Sequence, residues 1–408
     1  MKLRFDEDRA RQLFGILQDF HLDDRKRGGP FRNIVLPQDR WAVSADPRRA
    51  ANELSYFAIT QRGGVVSEDP GKWIVTLRET EPDLFEPAAV ARAWTVDGIM
   101  EAIRTIIVKR RKDLGLPKFV QLSLAMVGQS HADLLPEQVN GANEDHYKLD
   151  EFAESWHYNS VTLAELWDSN VLNIYAGAQD FEEAFARIDR KRVARGFLGI
   201  RRKIFSLLTI WLQEQNFVPR FPTPVPVDFH ALRLLFGTGV VTAEDVPPFV
   251  VDPDVHPTHF AGRPFIHVSE EVMDEVAIWS QGFMVRNGFS HLAINPALWV
   301  LSRELCVHEF QAGSNGRGRT GNRRNLKIVY AEDLRRNPAL WRKRYRDPAR
   351  FCPVAGLCQA VTPSALYYSF GLLFMNERLP YPFGRPRFLP NINWRDFLEH
   401  QTPKNDRK

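Results

Sequence analysis

Two charged residues that flank a proline-rich segment are the strongest candidates for chemistry in this chain. Lys203 begins one apolar run and Asp228 begins the next. After the lysine, apolar residues fall at the spacing of one helical face, at Ile204, Leu207, Leu208, Trp211 and Leu212. Lys203 is therefore expected in the first helical turn, where the helix dipole favours the neutral amine. A neutral lysine amine is a nucleophile that can form a Schiff base, although the local sequence alone favours a simple contact with phosphate or solvent.

Asp228 precedes the helical pattern FHALRLLFG, and this position predicts an N-cap. Hydrogen bonds from the free backbone amides of a helix start stabilise the ionised form of a carboxylate. An ionised carboxylate can in turn stabilise positive charge that develops in a transition state. The structural role and the chemical role of this aspartate are therefore compatible.

The elements that must position these two residues follow a specific order. A glycine-containing stretch, FLGIRRK, leads into the lysine helix, and VPVDFH opens the next helix after the proline-rich crossing. This order resembles the helix-hairpin-helix DNA glycosylase superfamily of base-excision repair, and the crossing looks most like its archaeal 8-oxoguanine glycosylase branch. The resemblance implies that Lys203 forms the Schiff base with the sugar and that Asp228 is the essential aspartate.

The same resemblance implies a fold, namely an all-α, two-lobed helix-hairpin-helix glycosylase with a cleft between its lobes. Helical periodicity also favours a mostly α protein, and the best strand candidate is HFAGRPFIHVS. Three regions are predicted. An N-terminal segment at 1–45 packs on the C-terminal lobe, and a helical barrel domain at 46–245 contains the helix-hairpin-helix at about 190–240. The C-terminal helical lobe at 246–400 carries a basic insertion and a degenerate cysteine motif.

Apolar residues at three- and four-residue spacing predict several individual helices. The clearest are RARQLFGILQDF, a long pattern over residues 86–114, the stretch 180–197, and SEEVMDEVAIWSQGFMV. By contrast, residues 131–160 are polar and mixed, and they are predicted to form a long connection.

Contacts to DNA are first expected at the hairpin. By resemblance, Gly199 brings bare backbone close to a phosphate, whereas the second glycine of the superfamily pattern is replaced here by Arg201. Arg201 and Arg202 are therefore predicted to supply phosphate contacts through their side chains.

A second expected DNA contact lies in a basic zone between residues 317 and 350. This zone contains twelve Lys or Arg against three acids, and Arg323 and Arg324 are its DNA-binding candidates. A solvated face or a disordered loop would have the same composition.

Three residues are candidates for recognising the base. Gln61 follows the predicted helix that ends in ITQRGG, near the expected pocket helix. In the archaeal branch a later helix contributes an aspartate and a tryptophan to the base pocket, and Asp274 and Trp279 are the residues that could correspond to them here. An aspartate and a tryptophan on an amphipathic helix are more often surface and core.

The three cysteines resemble the remains of an iron–sulfur motif. Cys352 and Cys358 look like its last two ligands, and the residues before Cys306 resemble the helix that leads to its first. Because a standard cluster needs four thiolates, the preferred interpretation is a degenerate motif without metal. A zinc site that also uses His308 remains an alternative.

Composition sets wider bounds on the chain. It has 408 residues, of which 44% are hydrophobic, and a formal net charge of +4, so it can bury a large core. No apolar run reaches the roughly 18 to 20 residues that cross a bilayer, and the N-terminal residues lack the apolar core of a signal peptide. We therefore expect a cytoplasmic protein without a membrane partner, acting as a monomer.

Together these features predict a DNA glycosylase, with β-lyase activity, that flips a damaged or modified base into a cleft and needs no cofactor. Three alternatives stay open. The same chemistry could act on modified bases of phage DNA in antiviral defence, or on free modified nucleosides in salvage. The fold could also serve as a non-catalytic DNA-binding module.

Overall fold

The computed structural model describes residues 2–27, 44–61, 68–110, 149–244, 270–301, 309–311 and 326–328, together with Val354 and Leu357. Most of the described residues are helical, which confirms the prediction of a mostly α protein. The strand candidate HFAGRPFIHVS lies outside the described residues. The two-lobed glycosylase fold stays a prediction.

The helices and strands are numbered here in chain order. The helices are α1 (Glu7–Arg27), α2 (Pro47–Thr60), α3 (Glu68–Thr80), α4 (Pro87–Ala93), α5 (Val96–Arg110), α6 (Leu149–Leu166), α7 (Phe181–Ala186), α8 (Arg202–Glu214), α9 (Phe229–Gly237), α10 (Glu270–Asn287) and α11 (His291–Val300). Short 3-10 helices occur at Pro82–Phe85 and Val171–Ile174. The strands are β1 (Lys2–Phe5), β2 (Val241–Glu244), β3 (Glu309–Gln311) and β4 (Leu326–Ile328).

Helices α1 and α10 confirm two of the individual helix predictions, whereas the helix over 86–114 and the connection at 131–160 need correction. The pattern over 86–114 is interrupted after Ala93, because the Thr95 hydroxyl accepts a hydrogen bond from the Gly98 amide at 3.1 Å and starts a new helix. The predicted connection at 131–160 was wrong from Leu149 onward. There, α6 buries Phe152 and Trp156, one turn apart, against the core.

The described residues divide into two compact units. The central unit contains those of 34–123 and 134–226, which include α2 to α8. The terminal unit contains those of 1–33 and 227–408, so β1 and α1 belong with the elements from α9 onward. The predicted domain boundaries at 45 and 245 stay predictions.

The core of the central unit is strongly aromatic. The ring of Tyr56 stacks on that of Trp156 with centroids 4.4 Å apart, and Trp156 donates its indole N–H to the Leu84 carbonyl at 2.8 Å. Tyr175 stacks on Phe205 of α8 at 5.4 Å. Complete burial raises the pKa of both tyrosines above the usual value, so both hydroxyls stay protonated and hydrogen-bonded inside the core.

Three buried amide side chains fix the path of non-helical backbone in the central unit. Asn52 donates to the Ser169 carbonyl at 3.0 Å and accepts from the Val171 amide at 3.1 Å. Gln213 of α8 donates to two carbonyls of the proline-rich crossing, those of Pro219 at 3.0 Å and Phe221 at 2.9 Å. The third, Asn159, holds the segment before Lys203. A buried backbone group needs such a partner where no helix or sheet supplies one.

The terminal unit contains a short antiparallel ladder, in which β1 pairs with β2 so that Phe5 lies opposite Val241. Four-residue strands carry too little alternation to be predicted from sequence. The ring of Phe5 stacks on Trp279 of α10 at 4.4 Å, and Phe14 of α1 meets Phe283 edge-on at 5.4 Å. In the part of the chain that the structure describes, no helix is both long and apolar enough to cross a membrane.

Candidate functional site: the start of α8

Lys203 occupies the first turn of α8, as the spacing predicted. The helix begins at Arg202, and Arg201 at the N-cap position is extended, with φ −102° and ψ −179°, and makes no side-chain cap bond. The first turn carries no acidic residue. Lys203 itself is half-buried, and no hydrogen bond or ion pair of its amine is found among the described residues. A lysine that a helix start holds in place and that stays partly open to solvent can act as a nucleophile.

The rest of α8 anchors this lysine to the core. Ile204, Leu208 and Leu212 are buried, which confirms most of the predicted apolar face, while Leu207 is half-buried. Trp211 stacks on Phe57 of α2 with centroids 5.3 Å apart. Burial of several large side chains along one face makes α8 a rigid support for the lysine at its start.

The segment between α7 and α8 is a tight turn rather than the helix predicted over 180–197. It closes where the Phe197 amide donates to the Ile188 carbonyl at 2.7 Å. Gly199 has φ +74°, a left-handed conformation that favours glycine. Gly196 needs to be glycine for a different reason, because a Cβ atom there would lie 2.4 Å from the Ile188 carbonyl oxygen and 2.5 Å from the Arg190 nitrogen.

We expect Gly196→Ala to destabilise the central unit by about 2 to 3 kcal/mol, since rigid backbone on two sides leaves the new methyl group no room. Chemical denaturation measures the free energy of unfolding of this variant and of a control variant. Gly71→Ala is the control, because Gly71 lies in the same unit, has no positive φ, and its new Cβ would meet only the Phe57 side chain, at an ordinary 3.7 Å. Equal losses for the two variants would contradict a steric role for Gly196.

Asn159 of α6 holds the turn in place. Its side chain accepts from the Leu198 amide at 2.7 Å and donates to the Leu198 carbonyl at 2.9 Å. Both groups of one peptide residue are thus satisfied by a single buried amide. The contact fixes the backbone at Leu198, which directly precedes Gly199 and lies five residues before Lys203.

Arg202 is placed differently from its predicted role in binding DNA. Only 7% of its side chain is exposed, and its guanidinium forms a two-pronged ion pair with Glu182 of α7, one hydrogen bond of which measures 3.0 Å. The guanidinium also lies over the rings of Phe185 and Phe181, 5.0 Å and 5.8 Å from their centroids. This environment disfavours a phosphate contact through Arg202 and assigns the residue to joining α7 to α8. Arg201, by contrast, is exposed.

The two halves of this ion pair are expected to respond unequally to substitution. Glu182→Gln leaves a buried guanidinium without its counter-charge, which should cost about 3 kcal/mol. Arg202→Met replaces the buried charge with an apolar chain against two phenylalanine rings and leaves the 38% exposed Glu182 to water, so it should cost about 1 kcal/mol or less. Urea denaturation of the two variants gives the order directly. A larger loss for Arg202→Met would contradict the argument.

Asp228 forms the predicted cap at the start of α9, in the terminal unit. Its carboxylate accepts from the Ala231 amide at 3.0 Å, and its carbonyl accepts from the Leu232 amide at 2.9 Å. The side chain is half-buried. The cap is therefore confirmed, and the chemical role stays a prediction.

The three candidates for base recognition lie in ordinary structural positions. Gln61 ends α2, where its backbone N–H donates to the Ala58 carbonyl and its side chain to the Thr60 hydroxyl at 3.2 Å. Asp274 is half-buried on α10. Trp279 stacks both on Phe5 and, at 5.3 Å, on Phe283, and these contacts favour the core role over a base-stacking role.

Several predicted residues lie outside the described residues. They are Arg323 and Arg324 of the basic zone, and the candidate metal ligands Cys306, His308, Cys352 and Cys358. Among the residues that are described, no group of three or more His, Cys, Asp or Glu side chains could hold a metal ion.

Compared with family models, with curated proteins and with solved structures, the chain shows no significant match. Two residues of the site were also missed from sequence alone, Glu182 and Asn159. Each contacts a residue at least 20 positions away, so no local spacing pattern marks it.

Proposed function

We propose that this protein is a DNA glycosylase with an associated β-lyase step, built on a two-lobed helix-hairpin-helix fold. The observation that carries the proposal is the half-buried amine of Lys203 in the uncapped first turn of α8, directly after a glycine turn. A lysine amine can form an imine with a sugar carbon, and an exposed arginine, Arg201, lies two residues earlier. The resemblance to the glycosylase pattern rests on these same residues.

The proposed reaction follows from the residue types. The target nucleotide is flipped out of the duplex, and the bond from C1′ to the base nitrogen breaks, so that the base leaves with the electron pair and takes up a proton. The carboxylate of Asp228 stabilises the positive charge that develops at the sugar. The roles of Lys203 and Asp228 are proposed residue by residue, and each can be tested alone.

Lys203 then bonds to C1′ and releases a proton, and opening of the sugar ring gives an imine between the lysine nitrogen and C1′. Removal of a C2′ proton from this imine forms a C2′–C3′ double bond and breaks the C3′–O bond, with the 3′ phosphate as the leaving group, and water then releases the lysine. Neither step requires a redox cofactor or a metal. We place the protein in the cytoplasm, where it would act as a monomer on double-stranded DNA.

The proposal is tested with duplexes that each carry one modified base, among them 8-oxoguanine, uracil, hypoxanthine and 5-hydroxymethylcytosine, and with an abasic duplex. Released base is measured by chromatography, and the imine is trapped as a covalent adduct with borohydride. We expect release of at least one base and an adduct with the abasic duplex.

Two outcomes would overturn the proposal. Duplex binding without release of any base and without an adduct would indicate a DNA-binding module. Base release from free nucleosides alone would indicate a nucleoside hydrolase.

A further inference from the structure

We infer that the turn formed by residues 189–195 is a docking surface for the phosphate backbone of double-stranded DNA. The choice of duplex DNA as partner rests on the proposed function. The surface itself rests on charge, exposure and the way the turn is held.

Positive charge is concentrated and exposed in this turn. Residues 187–203 contain eight Lys or Arg and a single acid, Asp189. The side chains of Arg190, Lys191, Arg192 and Arg195 are all exposed. Clustered, exposed cations with one acid among them create the positive potential that attracts a polyanion.

The one acid of the turn is used chiefly to shape it. The carboxylate of Asp189 accepts from the Lys191 amide at 3.0 Å, and its carbonyl accepts from the amides of Arg192 and Val193 at 2.8 Å and 2.9 Å. Its contact with the Arg192 side chain is looser, at 3.6 Å. Asp189 therefore orders the backbone that carries the cations and leaves their combined charge strongly positive.

Helix α6 holds the turn from below through three of its residues. The guanidinium of Arg190 lies 5.1 Å from the centre of the Tyr158 ring, and Arg195 pairs with Glu165. The bonds from Asn159 to the backbone of Leu198 hold the chain three residues after the turn. A surface that is held in place before binding loses less conformational entropy when DNA docks.

The existing partners of the arginines do not block a phosphate. Both members of the Arg195–Glu165 pair are half exposed, and such surface ion pairs contribute little free energy. A guanidinium can bind a phosphate with two hydrogen bonds, and an arginine that stacks on a tyrosine still presents its N–H groups at the edge. Exchange of weak carboxylate contacts for phosphate contacts is therefore favourable, and it releases counterions from the DNA.

The test is the salt dependence of duplex binding by the full chain, measured by fluorescence anisotropy from about 50 to 200 mM salt. The variant Arg190→Gln/Lys191→Gln/Arg192→Gln removes three cations of the turn. The slope of log K against log salt should become shallower by about 2 to 3, and affinity at low salt should fall at least about tenfold. The single variant Lys191→Gln, whose backbone bond to Asp189 does not involve its side chain, should change the slope by about 1.

The matched control is Arg48→Gln/Arg92→Gln/Arg220→Gln, which removes the same charge from three exposed residues of the central unit outside the turn. Its slope should stay within about 0.5 of wild type. Equal effects of the two triple variants, or an unchanged slope for the turn variants, would overturn the inference. Wild-type binding that is equally tight to heparin or to single strands would also overturn it.

These outcomes are separate from those of the proposed function. A protein that binds duplex DNA through the turn but releases no base and forms no adduct would refute the glycosylase and leave the docking surface standing. If the wild type releases base but the salt slope is unchanged in the turn variants, the glycosylase stands and the docking surface is refuted.

Discussion

Replacing Lys203 with glutamine is expected to remove the borohydride-stable adduct with abasic DNA, a loss of roughly three orders of magnitude or more. An amide nitrogen cannot form the imine, because its lone pair is delocalised into the carbonyl group. The fold should be little affected, since the Lys203 side chain is half-buried and its amine has no ionic partner among the described residues. The adduct is measured by gel electrophoresis of labelled duplex.

Lys203→Arg is the control for charge. It keeps the cation at the start of α8 and should bind the duplex within about threefold of wild type, because a phosphate contact needs only the charge and a donor. It should still form no adduct. An adduct that survives in either variant would assign the nucleophile to another amine and would contradict the role given to Lys203.

Asp228→Asn is expected to slow base release by about 10² to 10³-fold and to leave stability almost unchanged. Asparagine and aspartate are equally good N-caps, so the hydrogen bond from the Ala231 amide survives while the negative charge is lost. The free energy of unfolding should therefore change by less than about 0.5 kcal/mol. Single-turnover base release and urea denaturation measure the two quantities separately.

Asp228→Ala provides the comparison, because it removes the cap as well as the charge. It should lose activity to a similar extent and, in addition, about 1 kcal/mol of stability. If Asp228→Asn released base at the wild-type rate, this aspartate would only cap α9. A large loss of stability in Asp228→Asn would show that the two roles cannot be separated in this way.

Local patterns in the sequence predicted the elements on which the candidate site is built. The face of α8 was predicted by apolar residues three and four positions apart, and the cap of α9 by an aspartate before a helical run. Both signals lie within one or two helical turns, where side-chain periodicity decides the structure. For this reason the position of Lys203 in its helix was predictable.

Contacts between distant segments were not predictable in the same way. Arg202 was predicted to bind DNA because it lies in the stretch that resembles the glycosylase hairpin, yet Glu182 and two phenylalanine rings bury it. Apolar spacing predicted a helix over 180–197, but after α7 the bonds from Asn159 and the crowding at Gly196 favour a turn. Tertiary contacts overrode local propensity in both places.

The buried amide side chains of Asn52, Asn159 and Gln213, which hold non-helical backbone in place, affect how this chain can change over evolutionary time. Each amide bonds to backbone N–H or C=O groups of the segment and not to the segment's side chains. Every residue except proline has both of these backbone groups. These segments can therefore exchange most of their side chains and keep their backbone conformation. Mutations would remove the sequence similarity of such segments long before they changed the conformation.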